Sequence, residues 1–566
     1  MSNFSRFTRF ILIFVALCLF GSVNSQTGAQ LSQQPQLYFA KDDPVVSERF
    51  SQHVTKLEPQ EKVKVWVFFT DKGFVDMESF QSAIAKASNT LTPRAAQRRA
   101  KTRKQSLVDF HDLPVNQAYV DRVGDFNAKF RHRSRWLNAA SFEVPVSQVD
   151  RISELGFVRS IKPVLAGKRK PVRIETPPDE PLQGEGSLDL NYGASYGQLQ
   201  QLNIPAVHNM GYYGQGVLVC MLDTGFRKDH QAFQQAYSEG RVLAEWDFVN
   251  NDGNTQNEAG DPSTSHNHGT ATWSALGGVA SGYLYGPAYG ANFIIGKTED
   301  VSMEEPIEED NWVAGMEWAD SIGAGVISSS LAYIDWYSYF DMDGNTAVTT
   351  IAADMAAGLG IVVCNAMANA GPGSGTLHAP ADADSIVACG AVYSDGGIAS
   401  FSSRGPTSDG RTKPEVCAQG VSTRCASASS PTSYTYASGT SLSTPLIGGA
   451  AAVILSAHPD WTPMQVREAL MMSGDNVLSP DNDYGWGIPD ILAAIQYGFY
   501  LTGDVTDDDL INVSDVIFLV NYLYKEGAAP SPALLGDVNC DDEIDVGDVV
   551  YLVNYLYMGG THPCSH

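Results

Sequence analysis

At 566 residues, with 43% hydrophobic and 18% charged side chains, the chain is long enough for three or four domains and apolar enough to bury cores along most of its length. Its net charge of −27 argues against nucleic acid as a partner, because phosphates are repelled. The 52 glycines and 28 prolines carry no collagen-like period.

Arg6 and Arg9, an apolar run over 10–20 and the small-residue stretch Val23-Asn24-Ser25 read as a secretory signal peptide over 1–25. The run is shorter than the ~20 residues a spanning helix needs, and no later segment is expected to cross a membrane. The expected location is outside the cell, free or attached to its surface. Cys18 leaves with the signal. Seven cysteines remain, so at least one is unpaired. Cys417 with Cys425, and Cys540 with Cys564, are spaced for pairing, whereas Cys220, Cys364 and Cys389 sit in apolar strand-like runs.

Residues 26–45 are polar and read as unstructured. The alternating run 63–70 (VKVWVFFT) predicts a strand, 76–91 and the basic stretch after it helices, 141–144 a strand, 147–155 a helix and 157–163 a strand. Together they make a small α/β unit over 45–165. Residues 166–189 are rich in Pro, Gly and charge and read as an exposed linker, where proteases cut. From 190 to 500 the apolar runs 216–222, 325–328, 360–364 and 385–392 predict strands of a sheet buried on both faces, with helices between them. Over 501–566 the segments 503–524 and 536–557 align without a gap at an offset of 33 residues.

Three motifs carry chemistry. Asp223 closes an apolar strand in Leu222-Asp223-Thr224-Gly225. His268 opens a helix in His268-Gly269-Thr270. Ser441 lies in Gly439-Thr440-Ser441-Leu442-Ser443-Thr444-Pro445 at the head of a helical run. A serine nucleophile needs a base within reach and a carboxylate to orient that base. A helix N-terminus favours the developing negative charge, and Pro445 is expected in the helix's first turn.

In that chain order the motifs resemble the subtilisin-like serine proteases, as do Asp229-His230 with Phe233 and the closing turn Tyr484-Gly485-Trp486-Gly487-Ile488-Pro489-Asp490. The resemblance implies a three-layer α/β/α fold with a mainly parallel sheet, and endopeptidase action on protein or peptide substrates with Asp223, His268 and Ser441 as catalytic residues. It implies an oxyanion asparagine at Asn369, with Asn365 as the competing choice, and His266 stands as a rival to His268. It places substrate-binding residues at Ser330, Leu331, Ala332 and Ala368. The family usually has glycine at the last two positions, so the extra methyls imply small or medium side chains before the cut. The unit over 45–165 resembles the family's inhibitory propeptides, which implies a zymogen cut within the linker.

In the second repeat Asp537, Asn539, Asp541, Asp545 and Asp548 fall at positions 1, 3, 5, 9 and 12 of a calcium loop, with the carbonyl of Glu543 at position 7. The first offers Asp504, Thr506, Asp508, Asn512 and Asp515 with the carbonyl of Leu510. The pair resembles a type I dockerin, which implies a small all-α calcium-binding domain with a cohesin-like partner. Calcium in the catalytic region is left open. The competing reading of the whole is an inactive protease fold serving as a binding scaffold.

Overall fold

A computed structural model describes residues 37–564 apart from 165, 168–172, 176–189, 300–306, 335, 499–500, 507, 509, 526, 531–532 and 542. The expected signal peptide lies outside the described residues.

The N-terminal unit runs α1 (Glu48–Val54), β1 (Lys62–Phe69), α2 (Met77–Ser88), α3 (Pro93–Thr102), α4 (Gln117–Gly124), β2 (Lys129–Ser134), β3 (Ala139–Pro145), α5 (Val149–Ser153) and β4 (Val158–Pro163). The side chains of Asp76 and Thr92 cap α2 and α3 by accepting from Ser79 and Ala95 N–H groups, and Pro93 occupies the first turn of α3. The strands form an antiparallel sheet in the order β2-β3-β1-β4. Alternation along β1 buries both faces. Val65, Val67 and Phe69 pack with Phe142, Val144, Ile152 and Ile161 in the unit's own core, whereas Trp66 and Phe68 join Trp312, Val313 and Met316 of the next unit.

Within the expected linker, β5 (Ala166–Gly167) and β6 (Arg173–Glu175) pair with strands further along the chain. The central unit follows with β7 (Leu218–Asp223), α6 (Gln231–Ser238), β8 (Val242–Asp247), α7 (Asn267–Gly277), the hairpin β9 (Val279–Ala280) and β10 (Leu284–Tyr285), β11 (Asn292–Lys297), β12 (Ile307–Glu308) and α8 (Glu309–Ile322). It continues through β13 (Val326–Ser329), α9 (Val348–Gly358), β14 (Val362–Ala366), β15 (Val387–Val392), β16 (Val416–Gln419), β17 (Thr423–Ala426), β18 (Tyr434–Ser438), α10 (Thr440–Ala457), α11 (Pro463–Met472) and α12 (Ile491–Ile495). Seven strands form one parallel sheet in the order β16-β15-β14-β13-β7-β11-β8.

Both faces of β7 are buried, as its unbroken apolar run requires. Val219 and Met221 face α7 and α10, while Leu218, Cys220 and Leu222 face α8 and α9. After β7 the chain runs to the edge strand β8, returns to β11, and then crosses to β13 on the other side of β7. The carboxyl end of β7 is therefore a topological switch point, where open α/β sheets leave a crevice. Helix α10 has the length and apolarity to cross a membrane, but it is buried against the sheet.

The N-terminal unit grips the central one through charge. Arg131 and the hydroxyl of Ser141 donate to Asp310 (2.8 and 2.7 Å). Ser134 and the backbone of Trp136 donate to Glu317, and Arg98, Arg99 and Arg135 all reach Asp320. Helix α3 adds a second foothold. Arg98 donates to the carbonyls of Leu359 (3.0 Å) and Ala324 (2.9 Å), and Thr102 to that of Gly358 (3.0 Å). These carbonyls end α9 or precede β13, at the pole of the sheet opposite its carboxyl end.

In the last segment α13 (Val513–Lys525) and α14 (Val546–Met558) share a core of Val516, Leu519, Val549 and Leu552. Cys540 and Cys564 form a disulfide. Cys417 and Cys425 do not pair, which corrects the alternative raised by their spacing. Cys417 lies on β16 of the main sheet and Cys425 on the separate β17–β18 ribbon, and both are buried thiols like Cys220, Cys364 and Cys389.

Candidate active site

Asp223 is the last residue of β7, at the switch point, and is fully buried. The Nδ1–H of His268 donates to its Oδ1 at 2.5 Å, the N–H of Thr224 donates to the same oxygen at 2.7 Å, and the hydroxyl of Thr272 donates to Oδ2 at 2.8 Å. Three donors hold one carboxylate in a single orientation, and it in turn fixes the imidazole tautomer. Gly269 explains the local motif. A Cβ there would stand 2.2 Å from the carbonyl oxygen of Gly225, so only glycine lets α7 lie close enough to bring His268 onto Asp223. The outer nitrogen of His268, Nε2, is buried and has no hydrogen-bond partner among the described residues. His266, the rival base, lies just outside α7, and its ring donates to no carboxylate among the described residues. Its backbone N–H donates to Asn257.

Ser441 lies in the first turn of α10, where backbone N–H groups lack intrahelical acceptors. Its hydroxyl donates to the carbonyl of Ser330 at 3.3 Å. Pro445 is the sixth residue of α10 rather than in its first turn, so it removes the N–H that would have bonded the carbonyl of Ser441. The hydroxyl of Ser330 supplies the missing donor at 2.9 Å. The end of β13 and the head of α10 are therefore tied in both directions.

Asn369 follows β14. Its Oδ1 accepts from the N–H (2.9 Å) and hydroxyl (3.1 Å) of Thr440, which turns its amide donors away from the helix backbone. Asn365 lies inside β14, fully buried, and donates to the carbonyls of Leu331 and Ala366 (both 3.0 Å), so it is a strand brace. Ser330, Leu331 and Ala332 leave β13 next to Ala368, which leaves β14. The side chain of Leu331 turns into the core, and only its backbone remains for a ligand. Ala368 has φ +85°, a conformation that suits glycine and strains alanine by about 1–2 kcal/mol.

Sequence reasoning missed Thr272 and Lys297. Thr272 is four residues after His268 on the same face of α7, and that spacing was the available signal. Lys297 ends β11 with its ammonium between Asp247 (2.7 Å) and Asp261 (2.9 Å), bracing the loop that leads into α7. Burial alone would lower its pKa, but the two carboxylates raise it.

In the C-terminal repeats the loop acids orient their own backbone. Asp515 accepts from Thr506 and Asn512 N–H groups, and Asp548 from those of Val538 and Asp545. Asp508 and Asp541 donate their N–H groups to Asp504 and Asp537. Asn539 donates to Asp541. Burial, with the Asp537 carboxylate beside it, pushes the Asp548 carboxyl up; separately, the donors of both loops are oxygens, the set a hard cation takes. As they stand, no three His, Cys, Asp or Glu side chains among the described residues are grouped to hold a metal.

Comparison with known proteins matches the same regions. Residues 214–487 fit the subtilase family and 64–176 the peptidase S8 propeptide domain of Bacteroidota. The chain is 34% identical to subtilisin E of Bacillus subtilis over 404 residues, spanning 70% of this chain and 92% of that protein. It is 32% identical to the serine protease AprX of the same species over 310 residues, spanning 48% of this chain and 65% of that protein. Among solved structures, fervidolysin of Fervidobacterium pennivorans superposes with a TM-score of 0.56 at 18% identity, covering 82% of this chain and 64% of that one, which supports the fold alone. The chain belongs to the subtilase family of serine endopeptidases and, carrying that family's propeptide, is made as a zymogen.

Proposed function

We propose that this is an exported endopeptidase in which Ser441 is the nucleophile, His268 the general base and Asp223 the residue that orients it. The observation that carries the reading is the asymmetric imidazole. Nδ1 is committed to a buried carboxylate, while Nε2 is buried and uncommitted beside the helix that bears Ser441. In the reaction the Ser441 hydroxyl turns from the Ser330 carbonyl to Nε2 and gives up its proton while attacking the substrate carbonyl. The Asn369 amide and the Ser441 N–H receive the oxyanion. His268 returns the proton to the leaving amine, and water repeats the cycle on the acyl-enzyme. Ala332 and Ala368 favour small or medium side chains before the cut. Rapid cleavage after Phe or Tyr with none after Ala or Leu would reject that preference.

Zymogen processing is supported at a narrower place than the whole linker. Strand β6 pairs with β18, which ends three residues before Ser441, while β5 pairs with β12. We infer that the bond cut falls between the described ends Gly167 and Arg173, the second of which lies opposite Ser438. Wild type and Ser441→Ala, compared by intact mass and N-terminal sequencing, test both points. The variant should lose amidolysis, by roughly 10⁶ in kcat as in a related subtilisin, and should stay uncut. Full activity, or a wild-type N-terminus well beyond residue 175, overturns them.

For the C-terminal repeats we infer a dockerin-type tether. Oxygens of Asp504, Thr506, Asp508, Leu510, Asn512 and Asp515, and of Asp537, Asn539, Asp541, Glu543, Asp545 and Asp548, would hold calcium. The exposed apolar residues repeat with the duplication, Val513 with Val546, Ile517 with Val550 and Tyr524 with Tyr557, which suits a cohesin-like partner. Chelation should lower the melting temperature of this segment in the intact protein, and an unchanged transition would count against calcium.

A further inference from the structure

The ribbon just upstream of Ser441 has an inner and an outer face. Cys425 of β17 and Ala437 of β18 pack inward against Ala271, Ala275 and Leu442. By alternation Arg424, Tyr434 and Tyr436 share the opposite face, on which Tyr436 is buried and Arg424 and Tyr434 are half-buried. Arg424 stands opposite Tyr436, with its guanidinium carbon 5.0 Å from the Tyr436 ring centroid and 5.2 Å from that of Tyr434. The exposed ring of Tyr283 stacks on Tyr434 at 5.4 Å, extending the ledge.

Arg424 is the exception among the arginines of this region. Between 190 and 500 the others each hold a carboxylate, in the pairs Arg227–Asp229, Arg241–Glu239, Arg404–Asp483, Arg411–Asp409 and Arg467–Glu415. The guanidinium of Arg424 has neither an ion pair nor a hydrogen bond among the described residues. Only its backbone is engaged, with Gln198, and its Nε is buried without an acceptor. In a chain of net charge −27, a half-buried cation kept on two ring faces and paired with no acid among the described residues is available to a ligand.

The path of a ligand past this cation is visible in the chain itself. Residues 173–175 lie antiparallel on the free edge of β18 in the register Ser438↔Arg173, Ala437↔Ile174 and Tyr436↔Glu175. Rising residue number moves away from Ser441, so this is the path of the polypeptide beyond the scissile bond. A chain that follows it brings the residue opposite Tyr436 to the face of the ribbon that carries Arg424.

Building on the protease reading, we propose that Arg424 determines specificity on the leaving-group side of the cut, selecting Asp or Glu in the substrate residue that lies opposite Tyr436. The guanidinium supplies a charge-assisted hydrogen bond to the carboxylate, and the Tyr434 and Tyr436 rings keep it in place.

The test uses the processed enzyme and internally quenched peptides that differ only in one Glu, Gln or Lys, walked through five positions after the cut. At one position Glu should exceed Gln in kcat/KM by roughly 5- to 20-fold at low ionic strength, shrinking with salt. The ratio at that position should fall to about one in Arg424→Gln, and in Arg424→Glu it should reverse in favour of Lys over Gln. A ratio near one at all five positions in the wild type overturns the proposal, as does an advantage that survives Arg424→Gln. If the wild type cuts none of the peptides while failing to react with a fluorophosphonate, the nucleophile assignment is wrong and this proposal falls with it. If it reacts but cuts none, the β18 path is wrong.

Discussion

Asp223 and Asp320 are equally buried, and each faces nitrogen donors, yet they do opposite things. Asp223 holds one imidazole that belongs to its own domain and leaves the other side of the ring free. Asp320 holds three arginines, Arg98, Arg99 and Arg135, all supplied by the propeptide. The first arrangement lies wholly within one domain and stays whole without the propeptide. The second is complete only while the propeptide is in place. The same low-dielectric burial therefore serves permanence at one site and detachability at the other, according to which segment supplies the partner.

The sharpest way to break this comparison is Asp320→Ala. It leaves Arg98 buried without its ion-pair partner, which costs about 3–5 kcal/mol, while Arg99 keeps Asp112 at 2.7 Å. Cut propeptide should then no longer co-elute with the catalytic chain, while amidolysis by the mature enzyme stays within a few-fold. Undiminished co-elution would show that the apolar face carries the interface.

A smaller effect follows from acid. Burial would raise the carboxyls of Asp310 and Asp320, but Arg131 at the first and Arg98 and Arg99 at the second hold both below their ordinary value. A lowered pKa in the joined state means that their contribution is complete above the free value of about 3.9 and is lost as pH falls through it toward the bound value. Glu317 is pushed up by burial and works the other way, so it resists release. Propeptide dissociation, followed by size exclusion, should accelerate below about pH 4. Faster release at pH 6 than at pH 4 would make Glu317 the governing group.

The smallest expected change is Ala368→Gly. Relief of the positive φ is partly offset by the added flexibility of the unfolded chain, leaving about 0.5–1 kcal/mol. Tm should rise by about 2 °C, and larger side chains before the cut should become better substrates. A fall in Tm would remove the strain argument.

Much of this was legible in the sequence, for a physical reason. Strands β7, β13, β14 and β15 are buried on both faces, so their apolar runs need no context to be read. Strand β2 was not read, because Asp310, the acid that neutralises its Arg131, sits on α8, far along the chain. The ribbon strands β17 and β18 are short and polar on one face. Pro445 was expected in the first turn, since the hydroxyl of Ser330 that excuses it deeper in the helix comes from another strand. The motif residues Asp223, His268 and Ser441 lay in patterns local enough to find, while their braces Thr272, Ser330 and Lys297 act across elements.

Helix α3 has one more consequence. Its contacts with the carbonyls of Ala324, Gly358 and Leu359 lie at the far pole from Ser441, untouched by a break between Gly167 and Arg173. Hydrolysis of the linker is therefore expected not to switch the enzyme on by itself. On the proposed reading it turns a tethered plug into a clasped one, and the interval before the clasp lets go would set the lag between becoming two chains and becoming active.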